Sequence, residues 1–340
     1  MKPLADLFHR LASGWRIDAA PDVHAPLLSD SELDDIVRRM QALRPPGRHA
    51  WEVHQRHAGD LRSAHLGRGL DFEESRAYQR GDDIRDMDWR TTARTGKPYL
   101  KIYREEHQPT LHLVIDRGAS MRFGTRTQLK AALAARIAAM FAFGAAAGNG
   151  SVGGTLWQPG GFMLPAGTGQ DGAIRLIHAA IAPCPPLGDT PASPAFSEVL
   201  RQLDFALPKG SRVILISDFR TLDEADLPWL ARLASSHEVR AFQVLDIAET
   251  ELPQVGLMRF RDMVSGNTAW LDTGSRALRR AFRDQAALSH EKQCALFARA
   301  GIPLERCLTS EDPLDLWVSM ERGLPARSGQ DGRDPSVANG

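Results

Sequence analysis

The sequence predicts an α/β protein whose core is an open, mainly parallel sheet with helices on both faces. Three short apolar strands carry this prediction, because each ends at or just before an acid: "LHLVID", "RVILISDF" and "EVRAFQVLD". Helical segments alternate with them, and strands that alternate with helices form βαβ units, which build parallel sheets covered on both faces. A small N-terminal segment, first helical and then irregular or β, precedes the sheet.

The composition is that of a soluble globular protein with one large domain or two ordinary ones. The chain has 340 residues, of which 43% are apolar and 25% charged. Lys plus Arg and Asp plus Glu both number 42, so the charge balance gives no reason to expect nucleic acid or an anionic membrane as a partner. The 3 cysteines are widely spaced, which predicts neither a disulfide framework nor a zinc site.

Neither a signal peptide nor a membrane span is expected. The N-terminal "MKPLADLFHRLASGW" is interrupted by Asp6, His9 and Arg10, which leaves no apolar region of signal-peptide length. The longest apolar run, "AALAARIAAMFAFGAAAG", contains Arg136 and consists mostly of alanine, so it predicts a buried helix. We therefore expect a cytoplasmic protein that does not insert into a membrane.

Four segments follow one another along the chain. Residues 1–50 hold an amphipathic helix, "SDSELDDIVRRMQAL", and residues 51–110 are polar, with strand-like pieces such as "YLKIYREE". Residues 111–324 form the α/β domain. Residues 325–340, "PARSGQDGRDPSVANG", lack the apolar side chains needed for packing and are predicted to be disordered.

Further elements are predicted inside the α/β domain. The pieces "SVGGTLW" and "GFMLPAG" predict a hairpin at one edge of the sheet. Helices are expected at 127–147, at 170–181, over "AFSEVLRQLDF", over "LDEADLPWLARLASSH" and over a long segment ending at Gly301. A last strand, "IPLERCLT", and a last helix, "DPLDLWVSMERG", complete the domain.

Two of the strand-end acids, Asp116 and Asp218, are candidates for a binding site. The carboxyl ends of parallel strands form the ligand-binding edge of such a sheet, so both side chains are expected in one crevice. Ser120, Thr190 and Ser193 add hydroxyl groups on nearby loops. A set of carboxylate and hydroxyl oxygens suits a hard cation such as Mg²⁺. The same two acids can alternatively cap helices and loops at the strand ends.

The stretch "DRGASM" from Asp116 to Met121, the hydroxyl loop and the later "SDF" resemble the metal-ion-dependent adhesion site of von Willebrand factor A domains. The resemblance implies a site for Mg²⁺ or Mn²⁺, with Asp116 and Ser120 on the first loop, Thr190 on the second and Asp218 on the third. One position departs from the pattern: Gly118 stands where the adhesion motif has its first serine, which removes one oxygen ligand.

A second resemblance lies upstream, in "GRGLDFEESRAYQRGDDIRDMDWRTTAR". This stretch resembles the family labelled domain of unknown function 58, whose hallmark is R-x-Y-x-x-G-D-D-x-R-x-x-D-W directly before a von Willebrand A-like domain. All hallmark positions are filled, by Arg76, Tyr78, Gly81, Asp82, Asp83, Arg85, Asp88 and Trp89. The resemblance covers about residues 50–310 and implies the same A-like fold for the domain that follows.

The charged motif has two interpretations. Its arginines can form bidentate pairs with its aspartates under the flat cover of Tyr78 and Trp89, which would make the segment a structural clamp. The same polar surface can alternatively recognise a partner protein or an anion.

The family resemblance implies a non-enzymatic protein-interaction module. Members look like companions of MoxR-type AAA+ ATPases, which would use the pair to remodel or mature a client protein, with the ion-binding edge engaging an acidic side chain. The sequence contains no G-x-x-x-x-G-K-[ST], so the chain is not expected to be an ATPase of the P-loop type. Two alternatives remain: a metal-dependent phosphate-ester hydrolase that uses Asp116 and Asp218, and a scaffold whose ion site has decayed.

Overall fold

The computed structural model describes residues 25–42, 70–79, 87–105, 110–125, 127–184, 193–261 and 268–321. The chain divides into two compact units, one formed by Glu52–Gln108 and the other by Met1–Trp51 together with Pro109–Gly340. The tail predicted to be disordered, residues 325–340, lies outside the described residues.

The elements follow in chain order. The helices are α1 (Asp30–Ala42), α2 (Trp89–Thr95), α3 (Lys130–Ala147), α4 (Gly169–Ile181), α5 (Phe196–Ala206), α6 (Leu227–Ser236), α7 (Ile247–Thr250), α8 (Arg276–Arg299) and α9 (Pro313–Glu321). The strands are β1 (Leu70–Ala77), β2 (Tyr99–Glu105), β3 (Leu111–Asp116), β4 (Ser151–Trp157), β5 (Met163–Thr168), β6 (Arg212–Ser217), β7 (Glu238–Leu245), β8 (Leu257–Arg261), β9 (Thr268–Asp272) and β10 (Leu304–Leu308).

Within the described part of the larger unit, six strands form one sheet in the order β10-β7-β6-β3-β4-β5. Neighbouring strands pair in parallel, except for β4 and β5, which form an antiparallel hairpin at the edge. The predicted fold class is therefore confirmed: an α/β protein with a mainly parallel sheet and an edge hairpin.

The direction in which the chain adds strands reverses between β3 and β6. From β3 the chain continues to β4 and β5 on one side, and then crosses to β6, β7 and β10 on the other. Such a reversal opens a crevice at the carboxyl ends of the two central strands, where α/β proteins bind ligands. Asp116 ends β3, and Asp218 is the first residue after β6.

Helices cover both faces of the sheet because successive strand residues point to opposite sides. Leu113 and Ile115 of β3 pack in a cluster with α1, α3, α4 and α9. Val114, between them, packs in a second cluster with α5, α6 and α8. Among the described residues, α3 is the one helix with the length and composition to cross a membrane, and 72% of it is buried inside the protein. This burial agrees with the prediction of a core helix.

Several boundaries and elements differ from the predictions. The core helix begins at Lys130 rather than at residue 127, because Leu129 is still in an extended conformation. The motif segment contains a helix, α2, where irregular structure was expected, since Asp88 provides an N-cap for it. A hairpin of β8 and β9 was not predicted at all.

Candidate functional site

Asp116 is buried at the carboxyl end of β3, and both of its carboxylate oxygens accept hydrogen bonds from the protein. Oδ1 accepts from the backbone N–H of Gly118 at 2.8 Å, and Oδ2 accepts from the hydroxyl of Ser217 at 2.6 Å. Burial, followed by the charge of Asp218, raises the pKa of Asp116 to about 7. Asp116 thus fastens the end of β3 to the end of β6.

Asp218 pairs with a lysine that the sequence did not single out. The ammonium group of Lys130 donates to Oδ2 of Asp218 at 2.8 Å and to Oε1 of Glu249 at 2.7 Å. The side chain of Lys130 is 0% exposed, that of Asp218 3% and that of Glu249 7%. The hydroxyl of Ser120 also forms a hydrogen bond with Asp218. The structure therefore brings Asp116, Ser120 and Asp218 to one edge of the sheet, together with an internal cation.

Lys130 and Asp218 remain charged in spite of their burial. Burial acts to lower the pKa of Lys130, but the charges of Asp218 and Glu249 outweigh it and raise the pKa above its ordinary value. Burial acts to raise the pKa of Asp218, yet Lys130 and Arg220 hold that pKa below its usual range. For Glu249 burial prevails and the pKa is raised. Lys130 and Asp218 therefore form the most firmly ionised pair of the cluster.

A third strand-end acid, Asp246, closes the same edge. It follows β7, is fully buried, and accepts hydrogen bonds from the hydroxyl groups of Thr125 at 2.5 Å and Thr309 at 2.6 Å. It also caps α7 by accepting from the backbone N–H of Ala248 at 3.0 Å. Asp246 thus joins the loop before α3 to the loop after β10.

The turn after β6 is held in an unusual conformation. Phe219 has a φ angle of 51°, in the left-handed region that residues with a side chain seldom adopt. Its N–H donates to the hydroxyl of Ser217 at 3.0 Å, and its carbonyl accepts from the amide of Gln293 at 2.8 Å. The oxygen of Gln293 accepts from Gln243, whose own oxygen lies 2.8 Å from Nδ1 of His290. This hydrogen-bonded chain connects the turn to α8.

A cleft of about 340 Å³ opens beside the cluster, between the carboxyl ends of β6 and β7 and helix α8. Phe282 and Leu245 contribute apolar surface to it. Its charged lining consists of Asp218, Glu249, Glu291, Arg220, Arg283 and Arg306, with Lys130 directly behind the first two acids. The three arginines balance the three acids of the lining, and Asp218 and Glu249 are already paired with the buried Lys130. The cations that an anionic group could meet in the cleft are therefore the three arginines.

The described residues fit a divalent cation poorly. Asp116 has both oxygens engaged in hydrogen bonds, Asp218 already pairs with an ammonium group, and Gly118 carries no hydroxyl. A Cβ atom at position 118 would lie 3.1 Å from Oδ1 of Asp116 and 3.4 Å from the hydroxyl of Ser193, so Ser193 lies beside the vacant side-chain position. Thr190 is outside the described residues, and the complete set of predicted Mg²⁺ or Mn²⁺ ligands therefore stays a prediction.

The family motif is described in part. Arg76 belongs to β1 and is paired with Leu100 of β2, and the N–H of Tyr78 donates to the carbonyl of Pro98 at 2.9 Å. Asp88 caps α2 by accepting from the N–H of Thr91 at 3.0 Å and from its hydroxyl at 2.6 Å. Gly81, Asp82, Asp83 and Arg85 lie outside the described residues.

Trp89 departs from one expectation. As a cover for ion pairs it was expected to be buried, but it is 65% exposed, and α2, which it begins, has no buried residue. Trp89 therefore shields little of the described segment. The choice between a clamp and a partner-binding surface stays open for this motif.

Lys130 and Glu249 are the residues of the site that sequence reasoning missed. A signal for Lys130 existed, since it opens an alanine-rich helix that is otherwise apolar for five residues, and lysine is almost never buried unless it is paired. Glu249 had only the weak signal of a capping box, in which it follows Asp246 by three residues.

Comparisons with known proteins place the chain in a family. Residues 74–292 match the family model described as protein of unknown function DUF58. An uncharacterized protein of Mycobacterium tuberculosis is 33% identical over 301 residues, covering 85% of this chain and 90% of the relative. The conserved hypothetical protein BatB from Bacteroides thetaiotaomicron is 15% identical, with a TM-score of 0.41, over 63% of this chain and 97% of that one. A von Willebrand factor type A protein from Catenulispora acidiphila is 16% identical, with a TM-score of 0.30, over 56% of this chain and 44% of that one. The family match and the relative together show that this chain belongs to the DUF58 family, as the motif from Arg76 to Trp89 predicted.

Proposed function

We propose that this DUF58 protein is a non-enzymatic protein-interaction module that binds an acidic segment of a partner at the carboxyl edge of its sheet. One observation carries the proposal. Asp218 and Glu249 are engaged with Lys130, whereas the cleft beside them presents Arg220, Arg283 and Arg306 next to an apolar wall. Complementary charge of this kind selects a partner and orients it.

The partner we propose is a MoxR-type AAA+ ATPase, with which the chain would act in the cytoplasm to remodel or mature a client protein. The family resemblance suggests this partner. The sequence of the chain supports a division of labour, because it contains no P-loop motif and a separate ATPase would have to supply the energy.

The same geometry gives less support to a hydrolase. Metal-dependent hydrolysis needs carboxylates that can hold metal ions or activate a water molecule. Both oxygens of Asp116 accept hydrogen bonds within the protein, and Asp218 is ion-paired with Lys130. These acids support the architecture of the edge better than they would support catalysis.

Affinity capture with a matched variant tests the proposed partner. The tagged protein is expressed in its own host, crosslinked and captured, and its partners are identified by mass spectrometry. Arg220→Ala/Arg306→Ala, which removes two cations of the cleft, serves as the comparison. We expect a MoxR-type ATPase to be enriched with the wild-type protein and depleted with the variant. Equal recovery with both proteins, or no AAA+ ATPase with either, contradicts the proposal.

A further inference from the structure

Lys130 occupies a position where two physical effects oppose a cation. The side chain is 0% exposed, and removing an ammonium group from water is strongly unfavourable. Lys130 is also the first residue of α3, where the helix dipole disfavours positive charge. The two carboxylates at 2.8 Å and 2.7 Å offset these effects, with a smaller contribution from the ring of Phe123, whose centroid lies 6.0 Å from the ammonium group. The residue is therefore placed to supply a cation to this edge.

The carboxylates that hold Lys130 come from the loops after two neighbouring strands. Asp218 follows β6 and Glu249 lies in α7, directly after β7. Asp218 is also the residue that the adhesion-site resemblance assigns to the metal, and Ser120, another assigned residue, forms a hydrogen bond with it. The ammonium group thus lies among groups that would otherwise surround a divalent ion.

We propose that Lys130 is a built-in substitute for the divalent cation, so that this edge is assembled and works without metal. A divalent ion bound at about 2.1 Å to Oδ2 of Asp218 would lie within about 5 Å of the ammonium group, which is itself 2.8 Å from that oxygen. The like charges would repel each other in a buried site where solvent screens them little. Lysine and metal therefore exclude each other at this position.

The first test needs only the protein and metal ions, so it is independent of the proposed partner. Mg²⁺ and Mn²⁺ are titrated by calorimetry into metal-free wild-type protein at millimolar concentrations, with Asp116→Ala as the control. We expect no saturable heat, and the same melting temperature in EDTA as in Mg²⁺. Saturable binding to the wild-type protein that disappears in Asp116→Ala overturns the proposal.

The second test removes the internal cation. Lys130→Ala removes the ammonium group that pairs with both Asp218 and Glu249 and leaves Arg220 as their remaining counter-charge, and we expect the melting temperature to fall by about 10 °C. Mg²⁺ or Mn²⁺ should recover part of this loss in the variant, because the vacated space and the free carboxylates then suit a metal. Lys209→Ala, an exposed lysine, should melt like the wild-type protein with or without metal.

An unchanged melting temperature in the second test would count against the proposal. A melting temperature for Lys130→Ala equal to that of Lys209→Ala would show that the ammonium group has no stabilising role, and would overturn the proposal. If Lys130→Ala does not fold, the wild-type titration decides by itself. A failure of the partner capture would leave these results unchanged, so the two proposals fail separately.

Discussion

At the scale of single residues, two buried titratable groups of the central strand contribute to the pH dependence of stability. His112 in β3 is 2% exposed, and its Nε2 lies 2.8 Å from the hydroxyl of Thr155. Burial, with a smaller effect from His237, lowers the pKa of His112 from 6.5 to about 4. The folded protein therefore holds a neutral imidazole at a pH where the unfolded chain is already protonated.

The sign of the His112 effect follows from this difference. A lowered pKa gives stability that is present above about pH 6.5 and is lost as the pH falls toward 4. The shift corresponds to about 3 kcal/mol of unfolding free energy. We predict that the His112→Gln variant lacks this loss. The difference in unfolding free energy between the wild-type protein and the variant, measured by urea unfolding, should therefore change by about 3 kcal/mol between pH 7 and pH 4, to the disadvantage of the wild-type protein. Parallel curves for the two proteins would contradict the prediction, and His178→Gln, at an exposed site, is the control.

The stability contributed by Asp116 changes with pH in the opposite direction to that contributed by His112. The effect of His112 must therefore be measured against the His112→Gln variant. The pKa of Asp116 is raised from 3.8 to about 7, so its contribution is fully present below about pH 4 and is lost as the pH rises through 7. The wild-type curve alone would combine this loss with the gain from His112.

At the scale of elements, helix α3 shows how closely the layers pack. A Cβ atom on Gly144 would lie 2.9 Å from Cη2 of Trp317 in α9 and 3.3 Å from Cε of Met40 in α1. Trp317 is 4% exposed and has little room to move. The glycine therefore allows two helices to approach α3 on the same side.

We predict that Gly144→Ala lowers the unfolding free energy by about 1 kcal/mol. Alanine favours a helix by about 1 kcal/mol over glycine, but overpacking at this contact costs typically 1–3 kcal/mol. The same substitution in a Trp317→Phe background, which lacks the contacting ring atom, should be neutral or stabilising. An equal effect in both backgrounds, measured as a double-mutant cycle, would show that the contact with Trp317 is not the cause.

The elements that the sequence predicted are those with a clear apolar pattern, either a continuous apolar run or a regular repeat. Strands β3, β6 and β7 are buried throughout or nearly so, and the edge hairpin was bounded by turn residues. Strands β8 and β9 were missed because large apolar residues occur on their outer face, with Leu257 65% and Trp270 63% exposed. Outward apolar residues of this kind remove the alternation by which a half-buried strand is recognised.

The candidate site was predictable only in part, because some of its residues follow no pattern along the sequence. Asp116 and Asp218 follow apolar strands, and the topology of a parallel sheet brings such positions together. Lys130 and Glu249 join them from a helix start and a short helix far along the chain. Their meeting depends on side-chain packing, which a pattern along the sequence does not record.

At the scale of the whole molecule, the carboxyl edge of the sheet is a preformed frame. Asp116 ties β3 to β6, Lys130 ties the loop after β6 to α7, and Asp246 ties the loop before α3 to the loop after β10. A binding surface held in this way needs little reordering when a partner arrives, which lowers the entropic cost of association. The cleft beside this edge should therefore bind a partner largely as a rigid surface.

The most direct measurement is the equilibrium affinity of the purified MoxR-type ATPase for the wild-type protein, for Arg220→Ala/Arg306→Ala and for Arg201→Ala. Arg201 is paired with Glu198 on α5 and does not line the cleft. We predict binding that weakens at least about tenfold when the two cleft arginines are removed and that is unchanged in Arg201→Ala. Equal affinity for all three proteins, or no binding of the ATPase to any of them, would contradict the account of the cleft as the partner site.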